Sequence, residues 1–581
     1  MHGVSVSARP APRPPVAPAP TERTRPLKTG GFPTLLDALD YAAGAGTGVS
    51  FHDGRGRLDR TLSWGELHDR AREAGTRLAA LELPRGARVG IVAETHSDFI
   101  AAFFACRFAA LVPVPLPATI HMGGHRHYVE LVARLLVNAG ARVCLAGDEF
   151  NDYLDEIGNP GNLAFRGTLE ALLERPAAEL PARPEEDEIA YIQYTSGSTR
   201  FPRGAMLTER ATLRNVTSII RDGLAIGPQD RFCSWLPLYH DMGLVGKMIV
   251  PMASQTSIDY LGTREFAMRP RLWPRLITDR EATISFAPPF GYELTSRRLR
   301  PGDAEQFDLR RWRIAGCGAD MIRPEILERF AEALAPGGFN AGALMPSYGM
   351  AEVSLAVSFT RRGAGLHADA IDMDVRETTG EARPADADSR RVSRFTCCGA
   401  PLPGYEVEIR DTEGHALQPR RVGSVHLRTP STMEGYHDAP EINRQILVDG
   451  WLDTGDLGYF AGEELVITGR RKDLMIINGR NIWPQDVELV AEQFQGVRTG
   501  DAAAFTIDAE DGSPALVLML QCREQDDDAR ERLLRGIRSE IQAEFGIDPR
   551  ITPVAPHSLP RTTSGKLSRA QARSVFLEDP Q

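Results

Sequence analysis

Lysine is nearly missing from this chain: of 67 basic residues only four, Lys28, Lys247, Lys472 and Lys566, are lysines, and arginine supplies the rest. Acidic residues outnumber basic ones, leaving a formal net charge of -11. That balance argues against a nucleic-acid binder, because such proteins present basic surface to neutralise phosphates. Any anionic ligand must therefore be held by local donors, and each retained lysine becomes a residue to account for. Cysteine is sparse as well. The seven (Cys106, Cys144, Cys233, Cys317, Cys397, Cys398 and Cys522) are odd in number and scattered through apolar segments, which reads as reduced thiols of the cytosol. The adjacent Cys397 and Cys398 suit neither an ordinary disulfide nor a zinc knuckle and read as packing residues. Long apolar runs are absent too: the most apolar stretch, residues 99–116, is interrupted by Arg107, Pro113 and Pro115, which is wrong for a membrane span. Residues 1–30 are rich in Pro, Ala and Arg without an apolar core, so a disordered tail is expected there rather than a secretory signal. A cytoplasmic protein without integral membrane association is the expectation.

What is present is ordinary globular material, 42% hydrophobic and 25% charged over 581 residues. Single cores stop growing at about 250–300 residues, so two or more domains are expected. From residue 31 helical and strand-like segments alternate. Residues 88–92 read as a strand, Ser97 as an N-cap, residues 98–110 as a helix and residues 112–116 as a second buried strand. Further units follow at 129–138 and 142–146, which predicts a layered α/β domain with largely parallel sheets. His121, His125 and His127 cluster in one segment, but two intervening glycines and the lack of a nearby carboxylate or cysteine argue against a metal site.

Residues 195–204 carry the first chemical signal. Thr195, Ser196, Gly197, Ser198 and Thr199 lead through Arg200, Phe201, Pro202 and Arg203 to Gly204, between an apolar run at 189–194 and a helix-like stretch at 209–220. The glycines let backbone approach an anion, the hydroxyls donate, and the arginines add charge. It is not a Walker loop, because Pro202 occupies the place of that motif's second glycine. Alone, such a loop is usually a linker.

Four more motifs follow in order: Ser-Tyr-Gly-Met-Ala-Glu at 347–352, Trp-Leu-Asp-Thr-Gly-Asp at 451–456, Thr-Gly-Arg-Arg-Lys-Asp at 468–473 and Pro-Arg-Thr-Thr-Ser-Gly-Lys at 560–566. Together with the 195–204 loop they resemble the adenylate-forming acyl ligase superfamily, which includes acyl-CoA synthetases, fatty acyl-AMP ligases, luciferases and peptide-synthetase adenylation domains. The resemblance spans about residues 31–570. It implies a large N-terminal domain over residues 31–470 and a small, mobile C-terminal domain over residues 471–581, turning about a hinge at Asp473. The last segment alternates apolar residues at 502–507 and 515–521 and has a helix-like stretch at 529–545, enough for a small α+β domain. The acidic Asp526, Asp527 and Asp528 read as a solvated face.

The resemblance also implies roles. The 195–204 loop would hold the phosphates of ATP, Gly318, Ala319 and Asp320 would lie along adenine, and Tyr348 and Gly349 would offer it a stacking face. Glu352 would ligate Mg2+, Asp456 would accept both ribose hydroxyls, and Arg470 would meet phosphate or ribose. Lys566 would bridge the two reacting anions. Residues 235–243, Trp-Leu-Pro-Leu-Tyr-His-Asp-Met-Gly, are similar to a fatty acyl-AMP ligase segment where acyl tunnel and nucleotide meet, so His240 would lie near the reacting carboxylate, with Met242 and Gly243 at the tunnel mouth. Residues 478–488 resemble the loop that presents a phosphopantetheine thiol. Between Glu352 and Gly399 lie 46 residues without clear apolar periodicity, read either as a variable surface loop or, at about 358–398, as the insertion by which fatty acyl-AMP ligases restrain the small domain. The implied function is activation of a medium- or long-chain fatty acid to acyl-adenylate, with transfer to an acyl carrier protein. An acyl-CoA synthetase using CoA and a noncatalytic nucleotide or acyl-adenylate binder remain alternatives.

Overall fold

The computed structural model describes residues 24–118, 124–195, 202–477, 480–509, 513–561 and 567–578. Two parallel systems form the bulk of the larger domain. In the first, the strands Val112–Leu116, Arg88–Val92, Ala141–Leu145 and Phe165–Gly167 lie side by side in that order, all parallel. In the second, of nine strands, Leu344–Gly349, Ile314–Cys317, Ile284–Ala287, Arg231–Ser234, Ser257–Leu261 and Gly48–His52 run parallel in that spatial order, with antiparallel strands closing both edges. Ile284–Ala287 and Ile314–Cys317 are buried at every position. Such strands, covered on both faces, read as short continuous apolar runs, which is why they are visible in sequence.

The helix after Arg88–Val92 spans Ser97–Phe108 and is capped by the ring of His96, which accepts from the Asp98 amide at 3.3 Å. Ser97, expected as the cap, is thus the first helical residue. The larger correction concerns residues 189–208. Ile189–Tyr194 is a strand, but its loop leads into a second strand, Gly204–Thr208, paired antiparallel with it, and only then into the helix Glu209–Ser218. The candidate phosphate loop therefore closes a hairpin rather than joining a strand to a helix. Pro289 is the first residue of the helix Pro289–Arg298, where its missing N–H costs nothing.

Residues 24–30 belong to the folded body. The Thr24 amide donates to Ala45 O at 3.0 Å, and Gln255 bridges both the amide and the carbonyl of Lys28. The expected tail thus stops short of residue 30, and its first 23 residues lie outside the described ones.

The segment between Glu352 and Gly399 is more than a surface loop. Ala368–Asp372 pairs antiparallel with Val392–Thr396 around a helix at Met373–Thr379, capped by Asp372. Ile371, Met373 and Phe395 share a small core with Tyr459 and Val466 from the antiparallel strands Trp451–Ala461 and Glu464–Arg470. The smaller C-terminal domain sets Ala502–Asp508, Pro514–Gln521 and Arg550–Val554 in one sheet, with helices at Pro484–Glu492, Asp527–Phe545 and Arg569–Glu578. Asp526 caps the second of these, accepting from the Ala529 amide at 2.8 Å, so it does more than solvate a face. All seven cysteines are unpaired. Among the described residues no helix is long and apolar enough to cross a membrane.

Candidate functional site

Ligands of open α/β sheets bind beyond the carboxyl ends of parallel strands. Here Ser234 leads to His240, Cys317 to Gly318 and Ala319, and Leu344–Gly349 to Glu352, each leaving a neighbouring region of one sheet at that end. These segments and the hairpin stem line a cavity of about 370 Å³. One part of its wall is polar, with Thr195, Arg203, Tyr348, Glu352, Arg470 and Lys472. Another is apolar, with Ile219, Leu224, Met242, Phe286, Leu355 and Phe359.

The polar wall is tightly interlocked. Tyr348 Oη donates to Asp456 Oδ2 at 2.6 Å, and Arg470 Nε lies 3.1 Å from Asp456 Oδ1. Asp456 and Arg470 face each other in the antiparallel register of their strands, and the Asp456 amide donates to Thr454 Oγ1 at 3.0 Å. Burial, then the Asp456 charge, holds the Tyr348 phenol well above its usual range. Glu352, 8% exposed, accepts from Tyr436 Oη at 2.5 Å. Burial raises the Glu352 carboxyl, and the Tyr436 bond partly offsets this. Arg203 lies over the Tyr436 ring at 5.5 Å, and burial followed by the Arg470 charge brings Lys472 down to about 8.

Local backbone explains why this wall has its sequence. At Gly349 a Cβ would sit 1.9 Å from Leu355 O, so only glycine lets the turn after the strand fold back. Ala319 and Ser354 both adopt positive φ, 70° and 72°, conformations that cost energy for residues other than glycine and cluster at functional sites.

His240 lines the cavity, and its Nδ1 lies 2.7 Å from Asp241 Oδ1. Gln193, from the hairpin, donates to Tyr239 O at 2.7 Å and ties the 235–243 segment to the stem. Met242 reaches the cavity; Gly243 does not, and a Cβ there would fall 2.0 Å from Pro237 O. Gly318 and Ala319 line the cavity, whereas the exposed Asp320 bonds its own neighbour, the Met321 amide, at 2.8 Å. Gly204 is buried in its strand beneath Thr195 and Arg203, whose backbones pair at 2.8 Å. Ser196, Gly197, Ser198, Thr199 and Lys566 lie outside the described residues, as do Asn478 and Gly479. Asp473 lies 3.5 Å from Arg569, which also grips Glu488 through two bonds of 2.7 Å. His121 too lies outside the described residues, and His125 pairs with Glu156 at 2.5 Å. Tyr436 is the residue that sequence reasoning missed: it sits in a two-residue strand, and nothing local links it to Glu352, 84 positions away.

The AMP-binding enzyme family matches residues 44–437, about two thirds of the chain. The chain belongs to that family. A relative from Caulobacter vibrioides, carrying the provisional name acyl-CoA synthetase, is 42% identical over 560 residues, covering 96% of this chain and 98% of its own. JamA of Moorena producens, a medium-chain-fatty-acid–[acyl-carrier-protein] ligase, is 30% identical over 569 residues, 94% of this chain and 95% of its own. Among solved structures, one from a study of fatty acyl-adenylate ligases from E. coli and L. pneumophila superposes with a TM-score of 0.91 at 42% identity, covering 95% of this chain and 99% of that one. This AMP-binding enzyme is accordingly an adenylate-forming ligase, which uses ATP to adenylate a carboxylic acid of the fatty-acid type.

Proposed function

We propose that this ligase, working in the cytoplasm, activates a medium- or long-chain acid as its adenylate and passes the acyl group to the phosphopantetheine thiol of an acyl carrier protein. The observation that carries the reading is the single cavity with a charged wall and an apolar wall, matched to a nucleotide and an alkyl chain respectively. In the first step a carboxylate oxygen attacks the α-phosphorus of ATP, the bond to pyrophosphate breaks, and acyl-AMP forms. In the second the thiol sulfur attacks the acyl carbon, the bond to AMP breaks, and the thiol proton leaves to solvent.

Asp456 has lone pairs to spare for ribose hydroxyls beyond its bonds to Tyr348 and Arg470. Arg203, Arg470 and Lys472 line the cavity and supply positive charge to the phosphates; by sequence the hydroxyl donors of the 195–204 loop and Lys566 would add to it. Glu352 suits magnesium, being a buried carboxylate hydrogen-bonded to a hydroxyl, and magnesium takes one or two carboxylates with phosphate oxygens and waters. Bound there, the ion would neutralise phosphate charge. Rotation about Asp473, releasing its contact with Arg569, would exchange Lys566 for the 478–488 loop between the two steps.

Preference for a carrier protein over CoA draws support from the folded segment at 368–396. Its Arg376 lies 5.3 Å from the Trp483 ring and its Arg391 5.3 Å from the Phe545 ring, both in the smaller domain. JamA, by its name, also loads a carrier protein. The name of the Caulobacter relative favours CoA instead. Incubating the full chain with ATP and a panel of fatty acids, trapping acyl-AMP as hydroxamate, and adding either CoA or holo carrier protein decides the matter. Hydroxamate with every productive acid and acyl transfer chiefly to the carrier are expected. Abundant acyl-CoA would overturn the acceptor, and absence of hydroxamate would overturn the activity.

A further inference from the structure

Lys247 lines the cavity, yet adenylation gives it no role. It is only 1% exposed, on a turn of π-helix at Val245–Ile249 whose five residues are all buried. Its ammonium lies 4.0 Å from the ring centre of Phe286 and 5.0 Å from that of Phe232, away from the charged wall and within the apolar one. Among the described residues no carboxylate or hydrogen-bond acceptor pairs with it. Burial brings its amine down to about 7, with Cys233 acting the other way.

Buried lysines are rare unless paired, and a lone one in a core costs stability whether charged or neutral. Two aromatic faces hold a cation by their quadrupoles but accept no hydrogen bond of ordinary strength. An alkyl chain lying against Lys247 would leave that amine without a partner and remove the open space in front of it. An oxygen atom at the same place would complete it.

We propose that Lys247 recognises an oxygen function on the acyl chain, so that the acid activated bears a second acceptor group, hydroxyl, oxo or carboxylate, seated beside Phe286. This deepens the adenylation reading and rests on it. Apolar pockets discriminate weakly between chains, whereas a site built to bond a polar group strongly rejects the analogue lacking it. Ile219, Leu224 and Phe359 then clasp the methylenes between the reacting carboxylate and the distal group.

The test is kcat/KM for pyrophosphate release by the full chain with matched acids of 8 to about 14 carbons: unsubstituted, hydroxylated, oxo-substituted and dicarboxylic, the distal group being moved along the chain. One oxygenated series is expected to exceed its unsubstituted counterpart about tenfold or more at one optimal position. Preference confined to dicarboxylic acids identifies counter-ion pairing, and preference shared with hydroxy or oxo acids identifies hydrogen bonding; either supports the proposal. In Lys247→Met the preference is expected to reverse, with the unsubstituted acid gaining. Equal turnover of plain and oxygenated acids by the wild type overturns the proposal while leaving adenylation intact, and needs no variant. Release of pyrophosphate with none of the acids overturns both.

Discussion

Tyr348 and Asp456 are joined by a 2.6 Å hydrogen bond that links the end of the parallel sheet to an antiparallel strand pair formed much later in the chain. The bond fixes the carboxylate proposed to receive the ribose. Tyr348→Phe keeps the ring and removes one bond to a charged acceptor, so KM for ATP is expected to rise about tenfold or less with kcat little changed. Asp456→Ala removes both ribose bonds and is expected to raise it about 100-fold or more. Initial-rate kinetics over ATP concentration measures both; an unchanged KM in Asp456→Ala would remove the ribose assignment.

Beneath the hairpin, Arg107 and Glu209 form an ion pair with side chains 1% and 0% exposed, at 2.9 Å. Glu209 also accepts from the Leu35 amide at 2.7 Å, and Arg107 donates to Leu111 O at 2.6 Å. Removing one partner strands a buried charge. Arg107→Met is expected to cost about 3–5 kcal/mol, whereas Arg107→Met with Glu209→Gln together costs less than the sum of the two alone. Chemical denaturation of the three variants reads this coupling.

Glu94 provides a pH dependence. Burial pushes its carboxyl up to about 7, against the hydrogen bond from the Gly147 amide at 3.1 Å. A raised carboxyl binds its proton more tightly in the folded chain than in the unfolded one. Its stabilising contribution is therefore complete below about 4.5 and lost as pH rises through about 7. Glu94→Gln is expected to raise the thermal midpoint at pH 8.5 and leave it nearly unchanged at pH 5. Equal shifts at the two pH values would show that Glu94 does not titrate in this range.

Arg376, 6% exposed, sits between the ring of Phe395 at 5.0 Å and that of Trp483 at 5.3 Å. If this contact restrains the smaller domain, Arg376→Ala should raise acyl-CoA formation several-fold while hydroxamate formation stays within about twofold. Unchanged CoA use would assign the contact to packing alone.

Much of this was legible in sequence because parallel strands buried on both faces keep unbroken apolar runs, and the chemically active residues follow directly on their ends, as with Ile314–Cys317 and Gly318. Gly204–Thr208 was not legible as a strand: five residues that begin with a glycine and end with the helix cap Thr208 carry too little periodicity. The 368–396 segment was hidden for another reason. Only Ile371, Asp372, Phe395 and Thr396 of its two strands are buried, so charged and small residues dominate its pattern. Pairings such as Glu352 with Tyr436, and the meeting of Lys247 with two phenylalanine rings, depend on distant segments converging and leave no local trace.

The 368–396 segment shares its small core with Tyr459 and Val466, and Tyr459 further bonds Asp369 at 2.8 Å. Those two residues belong to the very strands that carry Asp456 and Arg470. A chimera that trims the segment to engineer a different thiol acceptor would therefore bare the back of the ribose-side ribbon. Grafting would have to resurface Tyr459 and Val466 at the same time, or selectivity and nucleotide affinity would change together.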